Sequence, residues 1–200
     1  MRIYRNTVLR KYGFVPESQV PVPIPRQSRI ARYAALAALG LMALGFLCHA
    51  SGLRVNTTPS IPVGFYRMTD APVSKGEYVI LCPPQSALFD EAKRRGYIGA
   101  GFCPGDYGYM MKRVVAVGGD RVASSEDGII VNSELLLASV PLKADKAGRM
   151  MPRHAFYDYT LGQSELLLMS DMSGTSFDGR YFGPVEAGQV RGVVRPIITF

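Results

Sequence analysis

The sequence predicts a mainly β domain, either a barrel or a sandwich, with a short helical insertion and one transmembrane helix on its N-terminal side. Three observations support this fold class. An uncharged run of 21 residues lies near the N-terminus, short apolar runs bounded by turn residues follow it, and one stretch among them has the periodicity of a helix. A chain of 200 residues with 48% hydrophobic and 20% charged residues has room for one domain and an anchor. This composition excludes a disordered chain, a collagen and a coiled coil.

The transmembrane helix is predicted over residues 33–53. His49 is the one interruption of the uncharged run, and a helix of this length rises about 31 Å, close to the ~30 Å hydrocarbon core of a bilayer. A buried core helix is one alternative, but a core helix normally shows a polar face. A cleaved secretory signal ending near Cys48 and Ala50 is the other, and the long segment before the run favours a retained anchor instead.

Positive charge is concentrated in a basic arm, residues 1–32. The arm carries +6 of the net charge of +7, so the positive-inside rule predicts a cytoplasmic arm and a domain of residues 54–200 outside the cytoplasm. The arm contains a Pro-rich stretch at 20–25 and is expected to be disordered. The remaining residues carry only +1, which leaves no basic surface for nucleic acid. The lipid bilayer, and not DNA or RNA, is the partner that these patterns predict.

Six short apolar runs in residues 54–200 are predicted to be strands. Most are bounded by Gly, Pro, Asn or Ser, as strands of a barrel or sandwich are, and they cover 77–82, 109–117, 128–131, 135–138, 165–169 and 193–200. Pro196 has no backbone N–H, so the last run is predicted to be an edge strand. Asn132 and Ser133 are predicted to form a hairpin turn, and residues 85–95 a short helix.

Cys82 and Cys103 flank this predicted helix. In an oxidising compartment a disulfide between them would close a loop of 22 residues. In the chain-entropy model this closure stabilises the folded state by roughly 3 kcal/mol. Two free thiols are the alternative, and a cytoplasmic location would give them. With two histidines and three scattered cysteines, the chain is expected to hold no metal ion and no cofactor.

The candidates for nucleophilic catalysis are Ser60 and Lys112. His154 lies in a loop context and no serine sits in a Gly-x-Ser-x-Gly elbow, which leaves a serine activated by a lysine. Neighbouring prolines hold Ser60 in a stiff backbone. Lys112 lies in an apolar strand, where desolvation can lower its pKa from ~10.4 toward the range that a neutral general base requires. An ordinary loop serine and an edge-strand lysine with a solvated head group are the alternatives.

Four segments in this order resemble the type I signal peptidase superfamily, most closely its TraF branch, the peptidases of bacterial conjugative transfer. They are residues 59–66 (PSIPVGFY), the pair 82–84 (CPP) and 103–106 (CPGD), residues 112–120 (KRVVAVGGD) and residues 176–185 (SFDGRYFGPV). The resemblance implies a signal-peptidase-like β-domain, a single anchor in the bacterial inner membrane and a catalytic domain in the periplasm.

The resemblance also implies roles for individual residues. Ser60 is expected to be the nucleophile and Lys112 the general base. Thr58, together with the backbone N–H of Ser60, is expected to donate to the oxyanion.

A second group of residues is expected to support the site. Asp178 matches an acidic residue that supports activity in this branch, and Arg180 either assists it or forms a structural ion pair with it. The family usually has a serine where this chain has Gly179, and Ser176 is the nearest hydroxyl in sequence that could replace it.

The implied reaction is cleavage of a membrane-tethered, pilin-like precursor through an acyl-enzyme. Water or an amine of the substrate would resolve this intermediate, and an amine would give a cyclic product. A general type I signal peptidase is the alternative enzyme. A non-catalytic, anchored assembly protein of a type IV secretion system is the alternative from another class, with Ser60 and Lys112 as packed residues. A self-cleaving repressor-type protease shares the chemistry but is usually soluble, and the anchor argues against it.

Overall fold

The structure, a computed structural model, describes residues 26–200. Its elements in chain order are α1 (Arg26–Ala50), β1 (Leu53–Asn56), β2 (Gly64–Thr69), β3 (Tyr78–Leu81), α2 (Ala87–Arg94), β4 (Ala100–Cys103), β5 (Met110–Ala116), β6 (Arg121–Ser124), β7 (Ile129–Val131), β8 (Glu134–Leu135), β9 (Tyr159–Thr160), β10 (Glu165–Met169), α3 (Gly179–Phe182), β11 (Val185–Glu186), a 3-10 turn (Ala187–Gln189) and β12 (Val190–Thr199). Most elements after α1 are strands, which confirms the mainly β fold class. The predicted helical insertion is α2.

The N-terminal helix α1 is long and apolar enough to cross a membrane over Arg29–Ala50. Its large apolar side chains are exposed all round the helix, as Leu36, Leu39, Leu41 and Met42 illustrate. A helix in contact with water would confine such side chains to one buried face. The exposed apolar surface of α1 is consistent with the predicted anchor.

The helix begins earlier than the predicted anchor. Residues 26–32, expected to belong to a disordered arm, lie within α1, so that expectation is wrong for them. Once a helix has nucleated in the apolar run, each further residue adds a hydrogen bond, and Arg, Gln and Ala extend it readily. The rest of the arm, residues 1–25, lies outside the described residues, and its disorder stays a prediction.

Seven strands form one antiparallel sheet in the order β1-β2-β12-β3-β5-β10-β11. β12 is therefore an interior strand, and the prediction of an edge strand is wrong. Its pairing with β3 ends at Val194, so Pro196 lies beyond the reach of that neighbour and its missing N–H breaks no hydrogen bond there. On the β2 side a register shift between Pro196 and Ile198 accommodates the proline.

The interior strand β5 lies between β3 and β10. Met110, Lys112, Val114 and Ala116 are buried along it, and the residues between them are partly or fully exposed, as the two-residue period of a strand requires. Lys112 therefore occupies a position in the inner, otherwise apolar row of a core strand.

A second, smaller antiparallel sheet has the order β8-β7-β6-β9. Asn132 and Ser133 join β7 to β8 with φ values of 49° and 71°, which a tight two-residue hairpin of this kind requires, so the predicted turn is confirmed. β8 ends at Leu135, and the predicted strand over 135–138 is wrong beyond that residue. Ala138 takes a φ of 51°, which turns the chain out of the sheet.

Cys82 and Cys103 form a disulfide, as predicted. The bridge closes the segment that contains α2, and both cysteines belong to the same hydrophobic cluster as Phe89 and Ala92 of that helix. The insertion is therefore attached to the core both by apolar packing and by a covalent bond.

Candidate active site

One cavity of about 620 Å³ brings together four of the residues that the resemblance assigns to the site. Ser60 and Thr58 line it from the connection between β1 and β2, Lys112 from β5, and Ser176 from the loop between β10 and α3. The apolar part of the lining includes Ile80, Tyr97, Ile98, Tyr109, Met110, Met111, Leu142, Met151 and Phe177. Such a wall lowers the local dielectric constant, which strengthens electrostatic effects on any charged group inside.

Lys112 is the buried cation of this cavity, with only 3% of its surface exposed. Its Nζ donates a hydrogen bond to Ser176 Oγ at 2.6 Å. Burial lowers the pKa of Lys112 from 10.5 to about 8; the Asp178 carboxylate opposes this shift and the Arg180 guanidinium adds to it. With that pKa, about a tenth of the molecules carry the neutral amine at pH 7.

Ser176 supplies the hydroxyl that lies within reach of the Lys112 amine. Position 179, a glycine, has no room for a second side chain with a hydroxyl. A Cβ at position 179 would lie 2.7 Å from Leu167 Cδ1 and 2.9 Å from the carbonyl oxygen of Leu168. A serine there would require β10 to move. The local packing therefore accounts for a glycine at position 179.

Ser60 lies in a turn between β1 and β2. Its Oγ is 3.2 Å from Thr58 Oγ1, and the two hydroxyls share a hydrogen bond. Among the hydrogen bonds of residues 26–200, none joins Ser60 to Lys112, and the amine donates to Ser176. The structure thus brings the two side chains into one cavity without direct contact between them.

Asp178 and Arg180 form a fully buried ion pair that does not line the cavity. Arg180 donates through Nε to Asp178 Oδ1 at 2.7 Å and through Nη2 to Oδ2 at 2.9 Å. Its Nη1 donates to the carbonyl oxygens of Ala138, Val140 and Gly174. The pair therefore braces two loops near the cavity, and its effect on the pKa of Lys112 acts through space.

Asn56 has contacts that the sequence analysis did not anticipate. It is the last residue of β1 and is 5% exposed. Its Nδ2 donates to the carbonyl oxygens of Thr58, Ile61 and Pro62, and its Oδ1 accepts from the backbone N and the Oγ1 of Thr58. The side chain of an asparagine can bond to the backbone two residues on in an Asx turn, and an asparagine just before the Pro-rich segment of Ser60 is the signal that could have pointed to it.

Comparison with known proteins places the chain in a family. Residues 26–199 match the family described as signal peptidase, peptidase S26. The chain belongs to this family. It is 59% identical over 172 residues to the plasmid transfer protein TraF of Escherichia coli, an alignment that covers 86% of this chain and 97% of the relative. A second Escherichia coli protein of the same name is 53% identical over 175 residues, covering 88% of this chain and 99% of the relative.

Among solved structures, a signal peptidase I from Enterococcus faecalis is similar to this S26 chain, with a TM-score of 0.38 and 16% identity over 64% of this chain and 100% of the other. The family match and the TraF relatives confirm the resemblance drawn from the four sequence segments. The chain is a TraF-type member of the S26 family.

Proposed function

We propose that this S26 chain is a membrane-anchored serine endopeptidase that uses Ser60 and Lys112 to process an exported, pilin-like precursor for conjugative transfer. Its family and the names of its relatives support a peptidase with a role in conjugation. The observation that carries the proposal is the buried amine of Lys112, which has a pKa of about 8 and shares a cavity with Ser60. A buried cation is costly to a fold, so its presence in a cavity favours a functional role.

The proposed chemistry begins with neutral Lys112 as the general base. Its Nζ accepts the proton of the Ser60 hydroxyl while Ser60 Oγ forms a bond to the scissile carbonyl carbon. The hydroxyl of Thr58 and the backbone N–H of Ser60 donate to the resulting oxyanion. Lys112 then passes its proton to the leaving nitrogen, the C–N bond breaks, and an ester on Ser60 remains.

The ester is then resolved by a second nucleophile. Water that loses a proton to Lys112 gives a free carboxylic acid, as in simple cleavage. The amine at the substrate's own N-terminus would give a new peptide bond and a cyclic product. In both cases the proton returns through Lys112 to the Ser60 oxygen, which restores the enzyme.

Ser176 orients the base in this scheme. A neutral amine has two N–H groups and one lone pair. The 2.6 Å hydrogen bond to Ser176 Oγ engages one N–H of Lys112, so rotation about the last C–N bond is limited and the lone pair can face the cavity.

The helix α1 and the disulfide support the proposed location. α1 would hold the chain in the inner membrane beside a membrane-tethered substrate. The bridge between Cys82 and Cys103 is typical of an oxidising compartment such as the periplasm. On this proposal the basic arm is cytoplasmic and the peptidase domain is periplasmic.

The test is to incubate the full-length chain in detergent with the precursor of a conjugative pilin and to follow the precursor by mass spectrometry. The wild type is expected to release a fragment, and the product mass distinguishes a linear product from one that has lost water by cyclising. Ser60→Ala and Lys112→Met are expected to lose activity and keep the thermal transition of the wild type or exceed it. Ser74→Ala and Lys143→Met, which replace exposed residues outside the cavity, are the matched controls.

Each other outcome has a clear meaning. Cleavage at the wild-type rate by Ser60→Ala or Lys112→Met would exclude the dyad. Binding of the precursor without any change in its mass would favour an assembly protein. Cleavage of an ordinary secretory precursor in preference to the pilin would favour a general signal peptidase.

A further inference from the structure

The segment that carries Ser60 is short of backbone donors. It connects β1 to β2, and prolines at positions 59 and 62 flank Ser60 without any N–H to offer. Buried carbonyl oxygens in such a segment need donors from elsewhere. Asn56 supplies them from the last position of β1, where it pairs with Gly64 of β2.

The amide nitrogen of Asn56 contacts the segment on both sides of Ser60. Nδ2 lies 2.7 Å from the carbonyl oxygen of Thr58, 2.9 Å from that of Ile61 and 3.1 Å from that of Pro62. Two N–H groups are thus shared among three acceptors. Since the side chain is almost fully buried, these hydrogen bonds are protected from exchange with water, and they fix the course of the chain around Ser60.

Within the part of the chain that the structure describes, the amide oxygen of Asn56 accepts hydrogen bonds from Thr58 alone, and it accepts two. Oδ1 accepts from the backbone N of Thr58 at 3.3 Å and from Thr58 Oγ1 at 3.1 Å. The Thr58 hydroxyl has one proton. While that proton is donated to Asn56, the 3.2 Å contact between Thr58 Oγ1 and Ser60 Oγ has Ser60 as its donor.

We propose that Asn56 is a positioning residue that acts through Thr58. The two contacts with Oδ1 hold Thr58 Oγ1 beside Ser60 before substrate arrives. When the oxyanion forms, the hydroxyl only has to rotate about its Cβ–Oγ1 bond to donate to it, and no heavy atom moves. Such preorganisation is what makes an oxyanion donor effective. This inference rests on the proposed function, because it assigns Asn56 a part in the same reaction.

A double-mutant cycle tests the proposal with the full-length chain in detergent and a conjugative pilin precursor as the probe. Thr58→Val is expected to lower kcat by about 100-fold, as loss of one oxyanion donor does. Asn56→Ala is expected to lower kcat by at least about tenfold with KM within about twofold of wild type. If Asn56 acts through Thr58, the double variant is no slower than Thr58→Val alone.

Three results would overturn the proposal. One is a kcat for Asn56→Ala close to that of the wild type. Another is a double variant whose loss equals the product of the two single losses, since this means that the residues act independently. The third is a KM effect alone. Asn132→Gly is the control for the loss of an asparagine's hydrogen bonds outside the cavity, because Asn132 accepts from the backbone N of Arg121 and donates to Asp120, while its positive φ suits glycine.

Two further measurements keep the test decisive. If Asn56→Ala shows no cooperative thermal transition, the same cycle is run with Asn56→Ser, whose hydroxyl can still donate to one of the three carbonyl oxygens. Hydrogen exchange of the Thr58 amide in the unmodified protein needs no variant, and exchange at the rate of a free loop amide would contradict the contact with Asn56. Activity in Ser60→Ala would overturn the proposed function as well, whereas an inactive Ser60→Ala with independent losses would overturn only the role of Asn56.

Discussion

Replacement of Lys112 by methionine is expected to make the domain more stable at neutral pH. The side chain occupies the inner row of β5 and is 3% exposed, so its ammonium group gives up hydration when the chain folds. Methionine has a similar length and no charge, and it fills the same space without that cost. A residue kept for catalysis at the expense of stability should behave in this way.

The size of the effect follows from the pKa. Lys112 has a pKa of about 8 in the folded chain against 10.5 for an ordinary lysine, which corresponds to about 3 kcal/mol at pH 7. Loss of the hydrogen bond to Ser176 offsets about 1 kcal/mol of this, so the expected gain for Lys112→Met is about 2 kcal/mol. Between the two pKa values the unfolded chain binds the proton and the folded chain does not, so the stability of the wild type rises with pH. By pH 9 the cost of burial has fallen by about 1 kcal/mol.

The assay is urea unfolding of the full-length chain in one detergent at pH 7 and pH 9, followed by circular dichroism because the chain has no tryptophan. Lys112→Met is expected to unfold at higher urea than the wild type at pH 7, with a smaller difference at pH 9. Lys143→Met, which replaces an exposed lysine, is expected to change the free energy of unfolding by less than about 0.5 kcal/mol at either pH. A variant that is less stable than wild type at pH 7, or a difference that does not depend on pH, would refute the reasoning.

Three further outcomes are expected. The kcat/KM of precursor cleavage should rise about tenfold per pH unit below pH 8 and level off above it, because only neutral Lys112 accepts a proton; a plateau that begins near pH 6 would contradict this role. Replacing Cys82 and Cys103 by alanine should lower the free energy of unfolding in urea by about 3 kcal/mol, and an unchanged urea midpoint would show that apolar packing alone holds the insertion. Gly179→Ser should lower the midpoint of thermal unfolding by an amount equivalent to about 1–3 kcal/mol, because its Cβ would lie 2.9 Å from the carbonyl oxygen of Leu168. An unchanged midpoint would mean that β10 moves aside with no loss of stability.

Features set by local sequence were predictable. The run at 165–169 coincides with β10, and the turn at Asn132 and Ser133 follows from the turn-forming residues between two apolar runs. The inward position of Lys112 follows from alternation along β5, because a strand places every second residue on one face. These features need no knowledge of which strands become neighbours.

Features set by distant parts of the chain were not predictable. Pro196 indicates an edge strand, but the length of β3 decides where the proline meets a neighbour. The buried pair of Asp178 and Arg180 depends on carbonyl oxygens about 40 residues away along the chain. The role of Ser176 was expected only as the nearest replacement for a missing serine, and the steric reason for Gly179 appears only when β10 packs against it.

The position of β12 sets the order in which the domain can be completed during synthesis. The ribosome makes Val190–Thr199 after every other described strand, yet this strand separates β2 from β3 in the middle of the sheet. β2 follows the Ser60 segment, and β3 pairs with the strand of Lys112. A nascent chain that has not reached β12 therefore lacks the strand that joins β2 to β3, the neighbour of the strand that carries Lys112. On the proposed function, a nascent chain without β12 is therefore expected to be inactive, because β12 is the strand that holds β2 beside β3.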